Sequence, residues 1–156
     1  MAFTAGTKLR ASDLVALDNR AYLSVYTMSN TVTSTTYTIA TPALASGTGL
    51  GLSLATNLFT LGAGTWDVDW SLWLGGSATT NLILAIGNDA TATIVVATTY
   101  VSGSFVGVST DTAGTVSTQI TSAGATTVSF KCFIPSATGA GTPAQSRISL
   151  NRTSTS

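Results

Sequence analysis

The chain has 156 residues, 44% hydrophobic and only 8% charged, with six basic and six acidic side chains cancelling to a net charge of zero. That composition excludes disorder, which needs few apolar residues and much charge, and it removes the electrostatic term on which nucleic-acid binding depends. With no His, no Glu and a single Cys, the usual tools of metal and acid–base chemistry are missing as well.

Five of the twelve charges, Lys8, Arg10, Asp13, Asp18 and Arg20, fall in the first 20 residues, which sets the N-terminus apart from the rest. No apolar run precedes Lys8, so the segment does not read as a secretory signal peptide. Ser12 is placed to cap a helix, Asp13 suits its positive end, and Leu14, Leu17 and Ala21 recur at helical spacing. A helix of one to two turns is not stable alone and must dock on something. The expected division is therefore an arm over residues 1–21 and a domain over residues 22–156.

From Tyr22 onward the period is two, and β-branched and aromatic residues are separated by Gly, Asn, Ser and Pro. This pattern predicts short strands at about 22–28, 35–41, 57–61, 65–74, 81–87, 92–97, 104–109, 115–121, 126–134 and 146–152. Ten such segments favour an all-β sandwich, jelly roll or barrel. The Gly-containing stretches 47–51 and 139–141 read as turns, since neither opens a helix after a strand.

In the segment from Thr65 to Leu74, Trp66, Val68, Trp70, Leu72 and Leu74 share one face, which reads as core. Asp67, Asp69, Ser71 and Trp73 share the other, where Trp73 is an apolar outlier suited to a loop or subunit contact. Along 81–87, Leu82, Ile83, Leu84, Ala85 and Ile86 are apolar on both faces, and a partner subunit is an economical cover for the second. Trp73, Ile83 and Ala85 are therefore the expected contacts between copies. In the strand 126–134, Val128, Phe130, Cys132 and Ile134 read as inward, with Thr127, Ser129 and Lys131 outward.

Few residues offer chemistry. Asp67 and Asp69 lie roughly 7 Å apart on one strand face, a spacing a glycosidase pair uses, but paired Asp on a polar face serve solubility and edge protection. Cys132 has no imidazole to activate it and reads as a buried structural thiol. Arg147 and Arg152 flank the last strand, as solvated ends or as partners of Asp67, Asp69, Asp89 or Asp111. No catalytic residue, cofactor site or metal site is expected, and neither nucleic acid nor membrane is an expected partner.

Two segments carry a resemblance. The N-terminal stretch AFTAGTKLRASDLVALDNRA resembles the motif F-x-A-G-x-x-L-x-A-x-D-L-N-x-L that opens structural proteins of tailed bacteriophages. Phe3, Ala5, Gly6, Leu9, Ala11, Asp13, Leu14 and Leu17 match it, and Val15 stands where Asn is frequent. The body, about 35–152, is similar to the trimeric jelly roll of the C1q and tumour-necrosis-factor type. The similarity rests on Asn57 to Leu61, the G-x-W-x-V-x-W run from Gly64 to Trp70, Leu82 to Ile86, and Ser146 to Leu150.

The resemblance implies a homotrimer on a virion surface, made in the host cytoplasm and without catalysis. In its leading form the protein decorates the capsid exterior, with Phe3, Leu9, Leu14 and Leu17 anchoring the arm on the major capsid protein or another virion component. In the alternative form it is a tail-tip or fibre knob that binds host glycan through Trp73, Tyr100 and Asn88.

Overall fold

The computed structural model describes residues 22–28, 32–33, 38–46, 51–75, 81–89, 99–106, 112–134 and 140–154. Twelve strands run through them in chain order: β1 Tyr22–Met28, β2 Val32–Thr33, β3 Thr38–Ile39, β4 Pro42–Ser46, β5 Leu52–Ala55, β6 Leu58–Leu61, β7 Gly64–Gly75, β8 Asn81–Gly87, β9 Thr99–Val106, β10 Thr112–Ser122, β11 Thr126–Phe133 and β12 Ala140–Ser154. No helix occurs among the described residues. The expected N-terminal helix, the anchoring residues Phe3, Leu9, Leu14 and Leu17, and the expected strand at 92–97 lie outside them.

The strands form two antiparallel sheets. The first has the order β10-β7-β12-β1-β4, with β2 also on β12, and the second has the order β5-β6-β11-β8-β9, with β3 also on β11. Each sheet interleaves strands from distant parts of the chain, as a jelly roll does. The longest pairings are β7 with β10, from Gly64↔Ser122 to Leu74↔Thr112, and β7 with β12, from Thr65↔Ser154 to Gly75↔Thr142.

Between the sheets lies one core. Trp66, Val68, Trp70, Leu72 and Leu74 of β7 point into it, as their alternation predicts, with Ile148 and Leu150 of β12 and Val116 and Ile120 of β10 beside them. The second sheet supplies Phe59, Leu61, Leu82, Leu84, Ile86, Val128, Phe130 and Cys132. Phe130 joins the layers, since its ring centroid lies 5.6 Å from Trp70 across the sandwich and 5.6 Å from Phe59, both in edge-to-face geometry. Such pairs add about 0.5–1.5 kcal/mol each beyond the area they bury.

Local chemistry closes the corners. Thr56 and Asn57 form the two-residue connection of the β5–β6 hairpin with φ of 49° and 66°, the double left-handed conformation that matches the twist of adjoining strands. At the edge where β9 meets β10, the half-buried Phe105 ring lies where a Cβ on Gly114 would stand. Only glycine lets that ring close the side of the sandwich.

Three expectations change. The segment 139–141 was expected as a turn, yet Ala140 and Gly141 open β12 because β2 supplies them with partners, Thr33 and Val32. β2, β4 and β5 were not expected as separate strands. Asp67 and Asp69 do not protect an edge, because β7 lies between β10 and β12.

Candidate functional site

The outward face of the first sheet is built in rows fixed by the register. Trp73 lies between Ala113 and Gln145, Ser71 between Thr115 and Arg147, Asp69 between Ser117 and Ser149, and Asp67 between Gln119 and Asn151. Hydrogen bonds stitch the polar rows. Ser71 Oγ and Thr115 Oγ1 are 3.0 Å apart, and Gln119 Nε2 donates to Asp67 Oδ1 at 2.9 Å. Asp67 is thus engaged by an amide on the neighbouring strand.

Trp73 breaks this polar surface. It is 40% exposed, while the residues on either side of it in sequence, Leu72 and Leu74, are buried in the core. It stands in an open groove of about 970 Å³ whose walls include Thr27, Ser71, Phe105, Gln145 and Arg147. Its lining combines the aromatic rings of Trp73 and Phe105 with hydroxyls, an amide and a guanidinium. A groove of this make-up suits an apolar insertion bordered by hydrogen bonds.

The other expected contacts lie elsewhere. Ile83 and Ala85 belong to β8, on the face of the second sheet away from the core, where Ile83 is half-buried and Ala85 is fully buried within the single chain. Of the three, Trp73 offers the large exposed surface.

Tyr100 and Asn88 come together. Tyr100 Oη donates to the Thr127 carbonyl at 3.3 Å, and Thr127 Oγ1 donates to the Asn88 carbonyl at 2.6 Å. Asn88 is exposed and Tyr100 is 38% exposed, with partial burial raising the pKa of its phenol. Trp73 is on the other sheet and does not join them.

Cys132 lies in the core, where its Sγ donates to the Thr38 carbonyl at 3.6 Å. Burial pushes its pKa up from 9.0 to about 12, which leaves it a thiol rather than a nucleophilic thiolate.

Sequence reasoning missed two buried cations. Arg152 is not a solvated end. It follows Ile148 and Leu150 on the inward face of β12, lies 5.7 Å from the Trp66 ring centroid and donates from Nη2 to the Ala63 carbonyl. The alternation of β12 carries that signal, but a charge at the end of a strand masks it. Lys131, on the face of β11 opposite Phe130 and Cys132, is fully buried and paired with Asp89 in the turn after β8. The alternation of β11 itself does not announce a covered face there; the signal lies in β8, whose two-sided apolar run puts the buried Ala85 opposite Lys131. Among the described residues no three potential metal-ligating side chains gather.

No family model matches the chain, and no curated protein matches it in sequence. Among solved structures it is similar to murine APRIL, a jelly-roll protein of the tumour-necrosis-factor family. The pH 8.0 crystal structure aligns with a TM-score of 0.62 at 9% identity, over 85% of this chain and 99% of that one. The pH 5.0 structure gives 0.62 at 8% and the pH 8.5 structure 0.58 at 8%, with the same coverage. The fold is therefore an all-β jelly-roll sandwich of the tumour-necrosis-factor type.

Proposed function

We propose that this chain is a non-enzymatic structural protein of a virion surface, a homotrimer of jelly-roll domains that attaches to the capsid exterior through its N-terminal arm and stabilises the shell. The observation that carries the assembly is the groove around Trp73. An exposed indole in an open groove on a sheet face is surface that a second copy covers. Val106, 80% exposed, and Tyr100 on the β9 strand offer apolar surface for a head-to-tail contact, and such contacts close into a ring when the rotation is three-fold. Attachment to the major capsid protein rests on the resemblance of residues 2–21 to the opening motif of phage structural proteins.

Sedimentation equilibrium of the full chain tests the trimer, and a monomer at micromolar concentration refutes it. A variant lacking residues 2–21 should remain a trimer and lose binding to purified capsids. Retained binding would move the attachment surface to the sandwich.

A second reading, host-glycan binding by a tail knob, has one observation in its favour: Asn88 and Tyr100 are joined through Thr127 on an exposed part of the second sheet. Binding to host envelope glycan that is lost in Asn88→Ala, with the trimer intact, would support it over shell decoration.

A further inference from the structure

We propose that Lys131 and Asp89 condense into an intramolecular amide, a covalent cross-link between β11 and the turn that follows β8. Four observations point to it. First, the Lys131 side chain is 1% exposed and its Nζ contacts Asp89 Oδ1 directly. A buried ion pair is costly, because the attraction between the charges seldom repays their removal from water, and a neutral amide removes both charges at once.

Second, the turn that carries Asp89 is fixed against β11. Thr127 Oγ1 holds the Asn88 carbonyl at 2.6 Å, and Tyr100 Oη holds the Thr127 carbonyl at 3.3 Å. The carboxyl group is thereby held beside the amine, the arrangement that replaces a bimolecular encounter with an intramolecular one.

Third, on the β8 side, between Lys131 and the turn, the residues of this face are small. Lys131 pairs with Ala85 there and Ser129 with Gly87, so the lysine stem has room to lie along the sheet towards the turn, while Ile39 of β3 flanks it on the other side. Ser129, two residues away on the same face, is itself fully buried, so this part of the face is closed to bulk solvent.

Fourth, the Asp89 side chain is 24% exposed, which leaves the departing water a way out while the amine stays shielded. Shielding opposes the back reaction, since hydrolysis requires water to re-enter.

The step is balanced without a co-reactant. The ammonium of Lys131 passes one proton to the carboxylate of Asp89, giving a free amine and a carboxylic acid. The nitrogen lone pair then attacks Cγ. The new N–C bond forms as the C–O bond to the hydroxyl breaks, and that hydroxyl leaves with a second amine proton as water. No electron is transferred, and the product is a secondary amide closing a loop across a sequence separation of 42 residues. With Cys132 the single cysteine, no disulfide can form within the chain, and this bond supplies a covalent tie of a kind that reductants do not cut.

Mass spectrometry of the purified full chain, unfolded before measurement, decides the matter. The expected mass is that of the sequence less one water, and proteolysis should release a branched peptide joining the segment that holds Lys131 to the one that holds Asp89. Lys131→Arg and Asp89→Ala, expressed alongside, should each show the full sequence mass and no branched peptide. Asp89→Asn provides a further check, because condensation there expels ammonia and gives the same product mass as the parent chain. A parent chain at full sequence mass, with the Lys131 amine open to acylation once unfolded, overturns the proposal. That measurement does not depend on whether any variant folds, nor on the oligomeric state.

Discussion

Replacing Trp73 with Ala tests the proposed assembly at its most exposed point. The indole is 40% exposed in the single chain, which for a side chain of this size is roughly 100 Å². Covering that area at about 25 cal/mol per Å² contributes about 2.5 kcal/mol per protomer, or about 7.5 kcal/mol across a three-fold ring. That is roughly five powers of ten in the trimer dissociation constant. Since the midpoint concentration for dissociating a trimer follows the square root of that constant, the midpoint should rise by a few hundredfold. Sedimentation velocity over a dilution series, with the parent chain in parallel, reads this shift directly. Because Trp73 points away from the core, the variant should keep the unfolding profile of an intact protomer. A variant that stays trimeric at the same dilutions as the parent chain would refute the placement of the groove in the interface.

Two further outcomes concern the sandwich itself. Phe130→Ala removes the ring that touches both Trp70 and Phe59, and chemical denaturation should show a loss of about 4 kcal/mol; a loss under about 2 kcal/mol would mean the core collapses around the gap. Burial raises the Cys132 thiol above its unfolded value, so the folded state keeps a proton that the unfolded state releases. The thiol's contribution to stability is fully present below pH 9.0 and is lost as pH rises towards about 12. Between pH 7.5 and 10.5 the parent chain should lose about 2 kcal/mol more stability than Cys132→Ala, and parallel pH profiles of the two would contradict this.

Much of the sandwich was legible because side-chain alternation is a local property. In β7 the sequence alone separates Trp66, Val68, Trp70, Leu72 and Leu74 from Asp67, Asp69, Ser71 and Trp73, and the structure divides them the same way. What alternation does not carry is the identity of the neighbouring strand. The β7 aspartates were read as edge residues because nothing in their own segment reveals β10 on one side and β12 on the other. Ala140 and Gly141 were read as a turn because their strand character comes from pairing with Val32 and Thr33, over a hundred positions away. Arg152 shows the opposite failure. Its parity with Ile148 and Leu150 marks it as inward, but its charge argued for solvent, and the Trp66 ring and the Ala63 carbonyl that receive it are distant in sequence. Of the candidate site, the exposed indole was visible in advance. The groove around it was not, since its walls come from β1, β7, β9, β10 and β12.

The placement of β12 also governs how the protein is made. This strand, residues 140–154, is the last of the first sheet to leave the ribosome, yet it lies between β7 and β1, and its partner Tyr22 emerges 130 residues before Arg152. Until it arrives, β1 and β7 have an open slot between them and a row of unsatisfied backbone groups that any passing strand can fill. The sheet therefore assembles after synthesis, in a step dominated by distant contacts and correspondingly slow. A nascent chain stalled before residue 140 carries two apolar half-layers with no centre, and holding it apart from its siblings becomes the main demand of its biogenesis.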